Sequence, residues 1–199
     1  MATPPAPLVP LGPDLLGTPY KLACLCDLRD RDGRILLLRR NKEPNKGLCS
    51  PIGGKLDMHT GESPAQCAQR EIEEEAGIHV PIDLLHLGGL ISEKSFDNGG
   101  GSRSHWLMFY YRVLGTVEVT RTQIREGTLE WFHPEQIEGL PLPETDRRII
   151  WPMIRRHEET YEPGRSGSRP GFFALHIDCS KVAPDGKPEI VWTVEQEER

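Results

Sequence analysis

A chain of 199 residues can bury one self-sufficient core but is short for two large domains. Apolar residues at 37%, charged residues at 27%, and 20 glycines with 18 prolines describe a turn-rich globular protein and exclude a low-complexity one. The formal charge of −6 excludes an overall electropositive field of the kind that gathers nucleic acid polymers or anionic membranes.

Six prolines fall in residues 1–19, so this stretch is expected to run extended as an arm. From Tyr20 the pattern alternates, with Leu22, Cys24, Cys26 and Leu28 on one face; Asp32-Gly33 then offers a turn before Ile35–Leu38, and the pair reads as a β-hairpin. Residues 41–61 are rich in turn formers. A strong helix start follows, in which Ser63 caps, Pro64 takes the first helical position and Gln66 completes a capping box. Gly77 supplies the residue type that ends a helix, which sets the length at about thirteen residues. Further strands are expected over 84–92, 106–114, 116–120 and 129–132, with a second helix over about 146–157 kinked by Pro152. Pro184-Asp185-Gly186 between apolar runs at 172–179 and 189–194 reads as a terminal hairpin, with Phe173, Leu175 and Ile177 on one face and Ile190, Trp192 and Val194 on another. An isolated hairpin is marginally stable, so it is expected to cover the main domain or a homodimer contact. The organisation expected is an arm, 1–19, a central domain, 20–157, and a linker with the hairpin, 158–199.

The first predicted helix carries the chemistry. Between Glu62 and Ile78 stand Glu62, Glu71, Glu73, Glu74 and Glu75 against the single cation Arg70, a local charge of −4. At about 100° per residue, Glu71, Glu74 and Glu75 share one arc, while Ala65, Ala68, Ile72 and Ala76 form an apolar stripe beside it. Like charges at i,i+4 oppose helix formation by roughly 0.2–0.5 kcal/mol per pair. A solvated acidic face is one reading; the other is a cluster of hard oxygen ligands for Mg²⁺ or Mn²⁺, which would hold phosphates and activate water.

The run REIEEEAGI at 70–78, with Glu62 eight positions before Arg70 and Gly53-Gly54 ahead of that, resembles the signature of the Nudix hydrolases. Seven residues rather than the family's five separate Gly54 from Glu62, which places a two-residue insertion near His59-Thr60. The resemblance covers about 20–157 and implies an α/β fold: a Nudix-type α/β/α sandwich with a mixed β-sheet and the box as loop–helix–loop, extended by the C-terminal β-hairpin. It implies metal-dependent cleavage of a nucleoside diphosphate linked to another group. By position, Glu71, Glu74 and Glu75 would bind metal with the Gly53 carbonyl, while Arg70 and Glu62 would pair to hold the loop. A further carboxylate, as ligand or general base, often faces the box in MutT-type members; Glu126 is the first candidate and Glu130 the second, against surface glutamates as the plain alternative.

Phe96 and Trp106 are candidates for stacking on a base, with core packing the alternative for Trp106. Arg39, Arg40 and Lys42 are candidates for phosphate contact or simply a solvated strand end. Gly54-Lys55 lacks the hydroxyl residue and upstream glycine of a Walker loop. Seven scattered histidines show no ligand spacing, and Cys67 reads as packing beside the acidic stripe. Motifs marking NADH- and coenzyme A-cleaving relatives are not apparent, nor is the proline or tyrosine expected about 15–18 positions after Ile78 in ADP-ribose and dinucleoside polyphosphate hydrolases. The sequence therefore leans toward a MutT-like nucleoside triphosphate pyrophosphohydrolase, with oxidised purines such as 8-oxo-dGTP as candidate substrates. An ADP-ribose or other dinucleotide pyrophosphatase and a non-hydrolytic nucleotide sensor remain alternatives; an isomerase on this fold lacks a Cys–Glu pattern. Five cysteines in no framework spacing, and the absence of a leader or spanning segment, point to the cytoplasm.

Overall fold

The computed structural model describes residues 20–43, 45–97, 103–159, 161–184 and 188–198, with backbone alone at 96, 97 and 188. The arm, 1–19, lies outside the described residues, as does the Asp185-Gly186 tip of the terminal hairpin.

Two sheets carry the fold. The larger has five strands in the order β1 (Tyr20–Asp27), β5 (Arg103–Val113), β4 (Leu85–Asp97), β8 (Phe172–Val182) and β9 (Pro188–Glu198). It is mixed, because β1 runs parallel to β5 and β8 parallel to β4, while β4–β5 and β8–β9 are antiparallel. The smaller sheet is antiparallel, in the order β3 (Cys49–Ser50), β2 (Ile35–Arg40), β7 (Gly127–Phe132) and β6 (Gln123–Ile124).

Alternation along β1 and β5 assigns side chains to two cores. Cys24 and Cys26, with Leu36, Leu38 and Ile52, face Cys67, Ala68 and Ile72 of helix α1 (Pro64–Glu71) and its continuation. Ala23, Met108, Tyr110 and Ile91 face the other way, toward Ile149, Ile150 and Ile154 around helix α2 (Trp151–Glu158). Strands β1, β2 and β5 are thus covered on both faces, which explains their nearly continuous apolar sequence.

The helix signals act as their chemistry requires. Ser63 Oγ accepts from the Gln66 N–H at 3.2 Å, Gln66 Oε1 accepts from the Ser63 N–H at 2.8 Å, and Gly77 ends the helix at φ 74°. Beyond Glu71, however, the helix opens into a wider π turn over Ile72–Ala76, so a wheel drawn at about 100° per residue does not extend to Glu74 and Glu75. A second π turn, Asp146–Ile150, leads into α2; there the Trp151 N–H donates to the Asp146 carbonyl just before Pro152, whose ring nitrogen has no donor.

Three local expectations fail. The 20–38 segment is not a hairpin, because β1 pairs with β5 and β2 with β3 and β7; the Asp32-Gly33 turn instead carries the chain from one sheet to the other, leaving a single bridge between Arg29 and Ile35. Residues 116–120 form no strand, although the Val117 N–H bonds the Arg29 carbonyl and Val119 is buried. Trp192 does not share in the buried face of the terminal hairpin: it is 45% exposed on the outermost strand, whereas Ile190 and Val194 pack against the core.

The terminal hairpin is part of the main sheet. Phe173, Leu175 and Ile177 are fully buried, and β8 lies in register along β4 from Gly89 to Lys94. Glutamates 189, 195, 197 and 198 line β9, the charge pattern that protects a sheet edge from further pairing. Each buried apolar side chain of β8 contributes about 1.5–3 kcal/mol. Truncation after Gly167 is accordingly expected to lower the melting temperature sharply or yield insoluble protein, and a truncated chain that melts like the full one would contradict this placement.

Candidate active site

The loop before α1 and the helix itself are joined by one cation. Arg70 Nε and one terminal nitrogen bind the two Glu62 carboxylate oxygens at 3.0 and 2.7 Å, its other terminal nitrogen reaches Glu71 Oε1 at 2.7 Å, and it also bonds the Lys55 carbonyl at 3.1 Å. The bidentate hydrogen bond from Arg70 holds the Glu62 carboxyl down at about 2. Glu62 in turn accepts from the Asp57 N–H at 2.6 Å, while Asp57 accepts from the His59 N–H. The inserted residues therefore form a self-closed turn, and Met58 at its tip projects into solvent.

Glu71 and Glu75 point inward and Glu74 lies at the rim. Glu75 is 7% exposed and accepts from the Gly53 N–H at 2.9 Å. Burial first, then the neighbouring charges of Glu71 and Glu126, push it up to about 7 in spite of that hydrogen bond. Burial likewise raises Glu71, against the pull of Arg70. Glu74 is exposed, 3.5 Å from Arg70. Among the described residues no three acidic, imidazole or thiol groups are already drawn together at ligand distance. The donor set nevertheless suits a hard divalent cation: oxygen ligands whose negative charge is in excess where water is scarce.

Two glycines let the loop lie closely against β1 and the helix. A Cβ at Gly53, where φ is 142°, would stand 2.1 Å from the Cys24 carbonyl oxygen. One at Gly54 would stand 2.2 Å from Glu71 Oε1. The carbonyls of Ile52 and Gly54 accept from Cys26 and Cys24 of β1, so the intervening Gly53 presents its N–H, bound to Glu75, toward the helix. Gly54→Ala must displace the Glu71 carboxylate; turnover is expected to fall at least about ten-fold with the fold intact, and unchanged turnover would show that Glu71 is not held where it acts.

The remaining candidates separate by strand alternation. Arg40 shares the face of Leu36 and Leu38 and lies toward the box; it stands 3.6 Å from Glu126 Oε2 and its charge favours ionised Glu75. Arg39 shares the face of Ile35 and Leu37 and pairs with Glu130 at 2.7 Å. Glu126 is close enough to the box to raise both Glu71 and Glu75, so of the two candidate acids it is the one brought to the site. Trp106 packs partly into the second core, with Lys21 and Lys55 nitrogens 5.1 and 5.9 Å from its ring centre. The Phe96 side chain lies outside the described residues. Arg121, which the sequence did not single out, donates to the Glu74 carbonyl at 2.6 Å and satisfies the open end of the box helix. A concavity of about 530 Å³ is lined by Leu142, Arg147, Trp151 and Arg155 and contains no box residue.

The NUDIX domain model matches residues 19–156, most of the chain and the whole of this site. The chain belongs to the NUDIX domain family. It is 30% identical over 124 residues to the uncharacterized Nudix hydrolase YvcI of Bacillus subtilis, which spans 62% of this chain and 73% of that protein. It is 46% identical over 130 residues to an octanoyltransferase of Myxococcus xanthus, a match spanning 60% of this chain but only 33% of that protein. The MutT protein of Bacillus halodurans superposes with a TM-score of 0.61 over 88% of this chain and 98% of its own, at 24% identity, which is a likeness of fold. The protein is thus a Nudix hydrolase, a pyrophosphohydrolase of nucleoside diphosphate derivatives. Nudix hydrolases generally use divalent metal ions and act on small nucleotides. No helix among the described residues is long and apolar enough to cross a membrane.

Proposed function

We propose that this Nudix hydrolase is a Mg²⁺-dependent nucleoside triphosphate pyrophosphohydrolase, releasing the monophosphate and pyrophosphate, with an oxidised purine nucleotide as one candidate substrate. The observation that carries the reading is the inward-facing pair Glu71 and Glu75, both held above the usual carboxylate range by burial and both packed on the Gly53-Gly54 turn.

Glu71, Glu74 and Glu75, with the Gly53 carbonyl, are the ligands in this reading, and Glu126 adds a further oxygen or takes the proton of the attacking water. An ion held by these oxygens would supply positive charge to the phosphate oxygens and lower the pKa of water. Arg70 holds Glu71 in place and Glu62 holds Arg70, so both are positioning residues. Arg40 lies beside Glu126, where a guanidinium meets the charge of a transferring phosphoryl group. Water attack forms one P–O bond and breaks the anhydride, and the pyrophosphate leaves with the negative charge that these cations offset.

The experiment is a panel of ordinary and oxidised nucleoside triphosphates, ADP-ribose and dinucleotides, followed by phosphorus NMR. Monophosphate plus pyrophosphate from a triphosphate, dependent on Mg²⁺, is the expected outcome. Preferred cleavage of ADP-ribose or a dinucleotide would replace this reading, and nucleotide binding without turnover of any panel member would make the protein a sensor.

A further inference from the structure

The acid brought to the box from outside it, Glu126, stands in the two-residue turn Arg125-Glu126 of the hairpin that β6 and β7 form. Within the smaller sheet β6 is outermost, so β7 is what ties the hairpin to β2. Asn41, one residue past β2, secures the tip: its N–H donates to the Glu126 carbonyl at 2.9 Å and its Nδ2 to the Arg125 carbonyl at 3.4 Å. At the base, the Leu129 N–H donates to the Thr122 carbonyl at 2.9 Å, and Arg121 is the next residue outward. Val119 is buried in the same core as Ile72 and Ala76 of the box helix, which brings this segment alongside it. Arg121 then crosses to the helix end. One of its terminal nitrogens donates to the carbonyls of Glu74 at 2.6 Å and Glu75 at 3.4 Å, and a Cβ placed on Gly77 would stand 3.0 Å from the other.

We propose that Arg121 is a positioning residue: by tying the base of the Glu126 hairpin to the last carbonyls of the box helix, it fixes the place of Glu126 relative to Glu71 and Glu75. The inference rests on the reading of Glu126 as a metal ligand or general base and names what holds it there. The Glu126 side chain does not hold itself. It is 47% exposed, and its ion pair with Arg40 is 3.6 Å long, too loose to set a geometry. Its position is therefore inherited from the backbone of the turn, and that backbone is anchored to β2 at the tip and to the box at the base. A helix end needs only donors and positive charge, which water or a lysine can supply. The planar guanidinium shared between two successive carbonyls also fixes an orientation. Those carbonyls belong to Glu74 and Glu75, so a shift of the box helix is carried to the hairpin rather than opening a gap between them. Attack on phosphorus is sensitive to such a gap, since a misplacement of about 1 Å can cost on the order of a hundred-fold in rate.

The test is a double-mutant cycle of Arg121→Ala and Glu126→Gln in the full chain, read in kcat and KM for dGTP at saturating Mg²⁺ and in Mn²⁺ affinity by electron paramagnetic resonance. Arg121→Ala should lower kcat at least about ten-fold with KM within about three-fold, and should weaken Mn²⁺ binding no more than Glu126→Gln does. In the Glu126→Gln background the same substitution should cost less than about two-fold in kcat, because the group it positions is already gone. Arg121→Gln, a milder truncation, repeats the cycle if Arg121→Ala melts early. Losses that multiply in the double variant would overturn the proposal, as would wild-type kcat in Arg121→Ala. A drop in Mn²⁺ affinity beyond that of Glu126→Gln would overturn it too, because Arg121 would then be supporting the box helix itself. The two readings fail differently: a wild type inert toward every triphosphate strikes the proposed function, whereas an active wild type with an additive cycle strikes the role of Arg121 alone.

Discussion

Glu75→Gln is expected to lower metal-saturated turnover by about three orders of magnitude, roughly 4 kcal/mol of barrier, while making the metal-free protein more stable. The two effects share one cause. Glu75 is buried between the loop and the helix, beside Glu71 and Glu126, and titrates at about 7. A carboxyl whose folded value lies above its unfolded value binds its proton more tightly in the folded state, so stability falls as pH rises from about 4.5 to 7 and the full penalty remains above that. Glutamine keeps an oxygen for the Gly53 N–H and removes the charge. The variant should gain about 1–3 kcal/mol at pH 8, with the gain vanishing toward pH 5. Thermal melts in chelator across that range check it; a gain independent of pH would mean that the charge is not its source.

Asp27→Asn is expected to cost about 3 kcal/mol, a fall in melting temperature of roughly 6–12 °C, without reducing turnover per folded molecule. Asp27 is fully buried between two guanidiniums. Arg29 binds both its oxygens at 3.2 and 2.9 Å, Arg112 lies 3.9 Å away, and the Tyr110 hydroxyl donates to it at 2.7 Å. Burial would raise its pKa, but Arg29 and then Arg112 overcome that and hold it down at about 2. Its contribution is therefore present above about pH 4 and lost as pH falls toward 2. Among the described residues, asparagine leaves Glu158 as the one carboxylate on Arg29 and Arg112; through this helix residue the network ties β1 and β5 to α2. Comparative melts at pH 7 decide it, and a loss below about 1 kcal/mol would mean that Glu158 alone compensates both cations.

What could be read from the sequence was what is encoded within a few residues. Ser63, Gln66 and Gly77 bracket the box helix because capping is local chemistry, and Arg70, Glu71 and Glu75 keep one spacing wherever the loop bends. The hairpin of residues 20–38 was misread because Asp32-Gly33 serves a sheet-to-sheet corner as well as a hairpin turn, and the true partner of β1 lies some eighty residues on, in β5. Arg40 rather than Arg39 was available from alternation, since it shares parity with Leu36 and Leu38. The π turn at Ile72–Ala76 had no sequence signal.

The central claim is that the box carboxylates hold the metal ion on which cleavage depends. Titration of Mn²⁺ into the full chain, followed by electron paramagnetic resonance, measures this without assuming a substrate. The account predicts saturable binding by the wild type and at least a ten-fold loss of affinity in Glu71→Gln and in Glu75→Gln, with both variants folded. Binding of equal strength in all three proteins would place the metal elsewhere and contradict it.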